Sequence, residues 1–244
     1  GHDEAVNERG GGDQTVLEDS ALHTVTNWAT DLSTGPPGDA GTTLTFLVSN
    51  NNNALFSVQP AISPGGTLTY TSAPDANGSA TVTVSLMDDG GTANGGDDTS
   101  DPQVFTLTVT PVNDAPSFVK GANQTVLEDA GAQTVAAWAT AISPGPADEA
   151  PQVLTFQVSN DNNGLFSTQP AIAGNGTLTY TLAANANGSA TVTVSLKDDG
   201  GTANGGVDTS AAQAFTITVT SVNDVPSFAK GADQFDVFAD VRHQ

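Results

Sequence analysis

Oxygen-bearing side chains gather at four kinds of place in this chain, and each kind occurs twice. "LED" carries Glu18-Asp19 and again Glu128-Asp129; "DANG" carries Asp75 and Asn77, and "NANG" carries Asn185 and Asn187. "DDGG" supplies Asp88-Asp89 and Asp198-Asp199, while "VND" supplies Asn113-Asp114 and Asn223-Asp224. Carboxylate and amide oxygens are hard donors, the type that Ca²⁺ takes in sets of roughly six to eight. Taken singly, each group is an ordinary turn signature, since Asp, Asn and Gly suit chain reversals. Their joint recurrence at the ends of predicted strands points to cation binding.

Other chemistries find less support. The three histidines are His2, His23 and His243, two of them near the termini, and cysteine is absent. Neither a nucleophile elbow of the GxSxG type nor an HExxH helix occurs, so no enzyme is expected. Lys197 stands beside Asp198 where the other copy has Met87, and a surface lysine at a strand end is expected there rather than an isopeptide crosslink. Five Lys+Arg against 27 Asp+Glu give a formal net charge of −22. That field repels phosphate, so nucleic acid and anionic membrane surfaces are poor partners. Such acidity also suits a solvated surface adapted to salt. No apolar run is long enough to cross a bilayer, and no signal peptide is seen. A start at Gly1-His2 suggests an excised fragment.

The elements that must position these oxygens repeat too. "VNDAPSF" begins at residue 112 and "VNDVPSF" at 222, an interval of 222 − 112 = 110 residues. Trp28 and Trp138, Tyr70 and Tyr180, and "DDGGTANGG" at 88–96 and 198–206 keep the same interval. A period this long is a whole domain rather than a solenoid unit. Within each copy, runs such as "LTFLVS" (44–49), "TLTYT" (67–71), "ATVTVSL" (80–86) and "FTLTVT" (105–110) alternate apolar and polar residues. Threonine and valine dominate them, and both suit a pleated, half-buried surface. Adding "QTVL" (124–127), "AQTVAAWA" (132–139) and "GLFSTQ" (164–169) gives about seven strands per copy. The expected fold is all-β: two tandem, seven-stranded Greek-key β-sandwiches. Phe46, Phe56, Tyr70, Phe105 and Trp28 each have a counterpart 110 residues on and are expected in the cores.

The chain resembles the cadherin repeat, in particular the cadherin-like tandem repeats of large bacterial surface proteins. Residues 13–228 carry the resemblance, most specifically at Asn113-Asp114-Ala115-Pro116-Ser117-Phe118 between the copies. It implies repeats at 11–117 and 118–229, with 230–244 an appended or truncated segment. It further implies Ca²⁺ at the junction of successive repeats, held by Glu18, Asn113 and Asp114 from above and by Asp198 or Asp199 from below. The family's acidic loop corresponds to Asp31 and Asp39 in copy one, and to Asp148 and Glu149 in copy two, where Ala141 replaces Asp31. Its acidic tetrapeptide is thinned to Asp75 and Asn77, so one to three ions per junction are expected. Asp31, Asp39, Asp88 and Asp89 at one free end, and Glu128, Asn223 and Asp224 at the other, then form half-sites. The implied role is an extracellular or cell-surface, calcium-binding extender whose partners are neighbouring repeats. A polysaccharide-binding module is the alternative, and homophilic contacts are left open.

Overall fold

The computed structural model describes residues 11–35 and 42–232. Domain 1 contains β1 (Gln14–Leu17), β2 (His23–Val25), β3 (Thr45–Asn50), β4 (Phe56–Ile62), β5 (Leu68–Ser72), β6 (Gly78–Met87) and β7 (Gln103–Thr110). They form a four-stranded sheet in the order β1-β7-β6-β3 and a three-stranded sheet in the order β2-β5-β4. Domain 2 opens with β8 (Ser117–Val119) and continues with β9 (Gln124–Leu127), β10 (Ala132–Val135), β11 (Thr140–Ser143), β12 (Thr155–Asn160), β13 (Phe166–Ile172), β14 (Leu178–Leu182), β15 (Gly188–Lys197) and β16 (Gln213–Thr220). Its two sheets, β12-β15-β16-β9 and β10-β14-β13, repeat those of domain 1, and β8 pairs with β11 beside them.

Period-two alternation explains the faces. Val192, Val194 and Leu196 of β15 are fully buried, while Thr191 and Thr193, which alternate with them, are exposed. Each domain has its own core. The aromatic residues lie there as expected: Trp28, Phe46, Phe56, Tyr70 and Phe105 are buried, as are Trp138, Phe166, Tyr180 and Phe215. Trp138 stacks at a tilt on Phe215, ring centroids 4.3 Å apart.

One expected strand is shorter than its pattern. The run 132–139 leaves β-structure after Val135, and Ala137 takes a left-handed backbone (φ 51°), as Asn27 does in domain 1 (φ 56°). Alternation cannot show such a break, because apolar Ala136, Ala137 and Trp138 mask it. Past this turn the chain is held by a close approach to a glycine: Ala139 N–H donates to the Gly176 carbonyl at 2.9 Å. A side chain at Gly176, whose φ is +80°, would strike the Ala139 carbonyl. β11 starts directly after this anchor.

Two pairings set the ends of the domains. β1 runs parallel to β7 with Leu17 opposite Thr110, so the residues after both strands leave domain 1 side by side. β6 is antiparallel to β7 with Gly78 opposite Val109, which brings the 73–77 turn to that same end. In domain 2, Thr155 opposite Lys197 places the 144–154 loop beside Asp198 and Asp199.

Candidate metal centre

Glu18 is the first residue after β1 and is buried. Its N–H donates to the Thr110 carbonyl at 3.0 Å, continuing the parallel ladder by one bond. Glu18 Oε1 accepts the Val112 N–H, and Oε2 accepts from Asn77 Nδ2 at 3.2 Å. The Asn77 amide also donates to Asp148 Oδ2 of domain 2 at 2.7 Å. One amide therefore links a carboxylate of each domain. Beside it, Asp19, Asp75 and Asp114 each bring an oxygen within 4.8 Å of the others. Asp19 Oδ1 accepts the Asp75 N–H at 3.0 Å, which ties the first turn to the second.

The linker carries the rest. The Asn113 Nδ2 donates to Asp198 Oδ1 at 3.1 Å and to the Val207 carbonyl at 2.7 Å, while its Oδ1 accepts from Gln152 Nε2 at 2.7 Å. Asp114 N–H donates to Glu149 Oε1 at 2.7 Å. A cleft of about 250 Å³ lies here, with Val112, Asn113, Asp148, Glu149 and Gln152 among its lining residues. Glu149 and Asp198 are buried, and Glu149 Oε2, Asp198 Oδ2 and Gln152 Oε1 have no hydrogen-bond partner. Buried carboxylate oxygens without a partner are costly, and a cation would satisfy them.

The electrostatics agree. Burial raises the Asp114 carboxyl above its ordinary value of 3.8, and the charges of Asp19, Asp75, Glu18 and Asp148 raise it further. Burial also raises Glu149 above 4.5; the Asp114 N–H bond opposes this, and the charges of Asp114, Asp148 and Asp198 add to it. The charged neighbours that act on both groups are all carboxylates.

The structure thus brings together Glu18, Asp75, Asn77, Asn113, Asp114, Asp148, Glu149 and Asp198 at one junction. Asp199 turns away: its Oδ1 accepts the Val153 N–H at 2.8 Å inside domain 2. At the opposite end of domain 1, Asp88 Oδ1 caps the Gly90 N–H and Asp89 Oδ1 the Thr43 N–H, both at 2.7 Å. Asp31 sits at a left-handed position with φ 55°, and Asp39 lies outside the described residues. Beyond domain 2, Glu128 accepts the Val222 N–H and the Asn187 amide, repeating the arrangement at Glu18. Asn223 Nδ2 there donates to the Asp224 carbonyl at 3.1 Å.

Two members were not assigned by the resemblance. Asp19 belongs to the "LED" motif, but its place beside Asp75 and Asp114 depends on how the turns fold. Gln152 had no signal, since the residue 110 positions earlier is Thr42. Backbone conformation explains some residue types here without any ion. Asp19, Asp75, Asp129 and Asn185 all have φ between 54° and 61°, a region that Asp and Asn tolerate. Because Asn185 makes the same turn as Asp75, the turn does not require the negative charge at Asp75.

Sandwiches joined end to end through an acidic linker define the class of tandem cadherin/immunoglobulin-like repeats. Residues 113–210, most of the second copy, match the bacterial Ig domain family. The chain is similar to human protocadherin-24 EC1-2 in its crystal form II, with a TM-score of 0.50 and 17% identity over 85% of this chain and 95% of that one. Another structure of human protocadherin-24 EC1-2 gives a TM-score of 0.49 at 17% identity, covering 91% of this chain and 100% of that one. Chicken VE-cadherin EC1-2 gives 0.34 at 19% identity, over 86% of this chain and 98% of that one. No curated protein matches. At 17% identity the likeness to the form II structure speaks for the fold alone. Among the described residues, no helix is long and apolar enough to cross a membrane.

Proposed function

We propose that this chain is a calcium-stiffened pair of extracellular repeats, a non-enzymatic spacer in a surface or secreted protein. The observation that carries the proposal is the junction, where carboxylates from two domains meet around buried, unpartnered oxygens of Glu149 and Asp198. Asp19, Asp75 and Asp114 would hold one cation, and Glu149 and Asp198 with Asp148 offer donors for a second. The donor set is all oxygen, which suits Ca²⁺ rather than a softer metal. Like-charge pairs at ~4 Å cost on the order of 1 kcal/mol in water and about 4 at an effective dielectric of 20. Asp19 and Asp75 are exposed, so their share lies near the lower figure. A divalent ion reverses the sign of these terms and draws the domains into line.

The polysaccharide alternative gains little, because the tryptophans and tyrosines that a sugar would stack on are buried. The test is calcium titration by calorimetry together with small-angle scattering. Binding in the roughly 10⁻⁴–10⁻³ M range of extracellular modules is expected. The particle should lengthen with calcium relative to chelator, and Asp114→Ala should lose most of that change. A scattering profile indifferent to calcium would overturn the proposal.

A further inference from the structure

The sequence marks Asn113 as an oxygen donor for a cation, yet its contacts are those of a plug. Its carbonyl accepts the Val207 N–H at 2.8 Å, and its Nδ2 donates to the Val207 carbonyl at 2.7 Å. Both backbone groups of Val207 are thus engaged by one residue of the linker. The same Nδ2 donates to Asp198 Oδ1, and Oδ1 accepts from Gln152 Nε2. An amide hydrogen therefore joins the linker to a carboxylate, a task that a cation would otherwise perform.

Glycines make the room for this side chain. A β-carbon on Gly200 would overlap Asn113 Oδ1, and one on Gly206 would come within 3.0 Å of the Asn113 β-carbon. Neither glycine has a positive φ, so space rather than backbone freedom calls for glycine at both places. Both belong to the repeated "DDGGTANGG", whose glycines the metal reading leaves unexplained. Two residues that grip Asn113 also differ between the copies: Gln152 stands where copy one has Thr42, and Val207 where it has Asp97. The second difference takes a carboxylate away from the linker, the opposite of what a cation site gains from.

We propose that Asn113 is a latch and not a ligand: it plugs into a glycine-lined pocket of domain 2 and holds the linker there with or without calcium. Domain 1 holds the chain as far as Val112, whose N–H donates to Glu18 Oε1, and domain 2 holds it from Asn113 and Asp114 onward. Bending between the domains is then confined to the bonds that join Val112 to Asn113. The latch rests on these contacts alone; only its place beside a calcium hinge rests on the reading of the junction as a calcium site.

Amide hydrogen exchange of the full chain in chelator, read by NMR, tests it. The Val207 N–H, whose acceptor is the Asn113 carbonyl, should be protected. Gly200→Ala, which fills the pocket, should lower that protection roughly tenfold to a hundredfold, and Asn113→Ala should do the same. The amides of β15 and β16 should keep theirs in both variants, since Gly200 and Asn113 lie outside the cores. A wild-type Val207 amide that exchanges freely in chelator overturns the proposal, as does protection that Gly200→Ala leaves intact. Calcium titration supplies the other arm. Asn113→Ala should bind as many ions as wild type, and the loss of one ion overturns the latch by making Asn113 a ligand. A wild type that binds no calcium sinks the calcium reading of the junction, while the exchange data still decide the latch.

Discussion

The Asp114 N–H donates to Glu149 Oε1 at 2.7 Å, while the other oxygen of that carboxylate, Oε2, is buried without a hydrogen-bond partner. One half of the side chain fixes the linker to domain 2; the other half lies against Gly145, and the charges of Asp114, Asp148 and Asp198 raise the carboxyl as a whole.

Glu149→Gln should therefore separate two effects. In chelator the substitution removes a buried charge and should raise the melting temperature of the junction-linked transition by a few degrees, on the order of 1 kcal/mol. In calcium it removes a charged donor and should weaken binding roughly tenfold. Thermal melts and calorimetry on the same sample check both signs. A variant that binds calcium as tightly as wild type removes Glu149 from the donor set.

The pH response follows from Asp114 and Glu149, whose carboxyls are raised above their ordinary values of 3.8 and 4.5. A raised carboxyl stabilises the joined state while protonated, below the pKa of the separated state. That stability is lost as pH rises through the raised value. Without metal the junction should be tightest in acid and loosen as pH climbs out of the carboxylate range. With calcium the order inverts, because binding needs the ionised forms. Scattering across that range, with and without calcium, should show the two opposite trends.

Phe118→Ala should cost domain 2 about 3–5 kcal/mol, the usual loss for a buried phenylalanine. Domain 1 should keep its own transition, since Phe118 belongs to the second core alone. Two separated unfolding steps by calorimetry are the expected record.

Chelator should leave both cores folded. Each domain buries its own apolar faces without using the junction carboxylates. Circular dichroism should keep its β signature when calcium is removed, and a coil spectrum would show the metal to be a folding requirement.

Much of the architecture was legible because β-strands write themselves in alternation and turns in Gly, Asn and Asp. Val192, Val194 and Leu196 could be placed inward from their spacing alone. The 110-residue interval made the architecture of one copy a guide to the other. Four kinds of oxygen-rich turn could likewise be named as candidates. Which of them meet was decided by pairing. The parallel ladder between β1 and β7 carries Glu18 to Val112, and the β12–β15 register carries Gln152 to Asn113. Asp198 and Asp199 are adjacent and alike in sequence, yet Asp198 meets the linker and Asp199 caps Val153. Successive side chains diverge as the chain leaves a strand, and their contacts depend on which loop lies opposite. The same holds for the twin heptapeptides. Sequence made Phe118 and Phe228 equivalent; packing against Phe156 buried one, and the other stands in solvent.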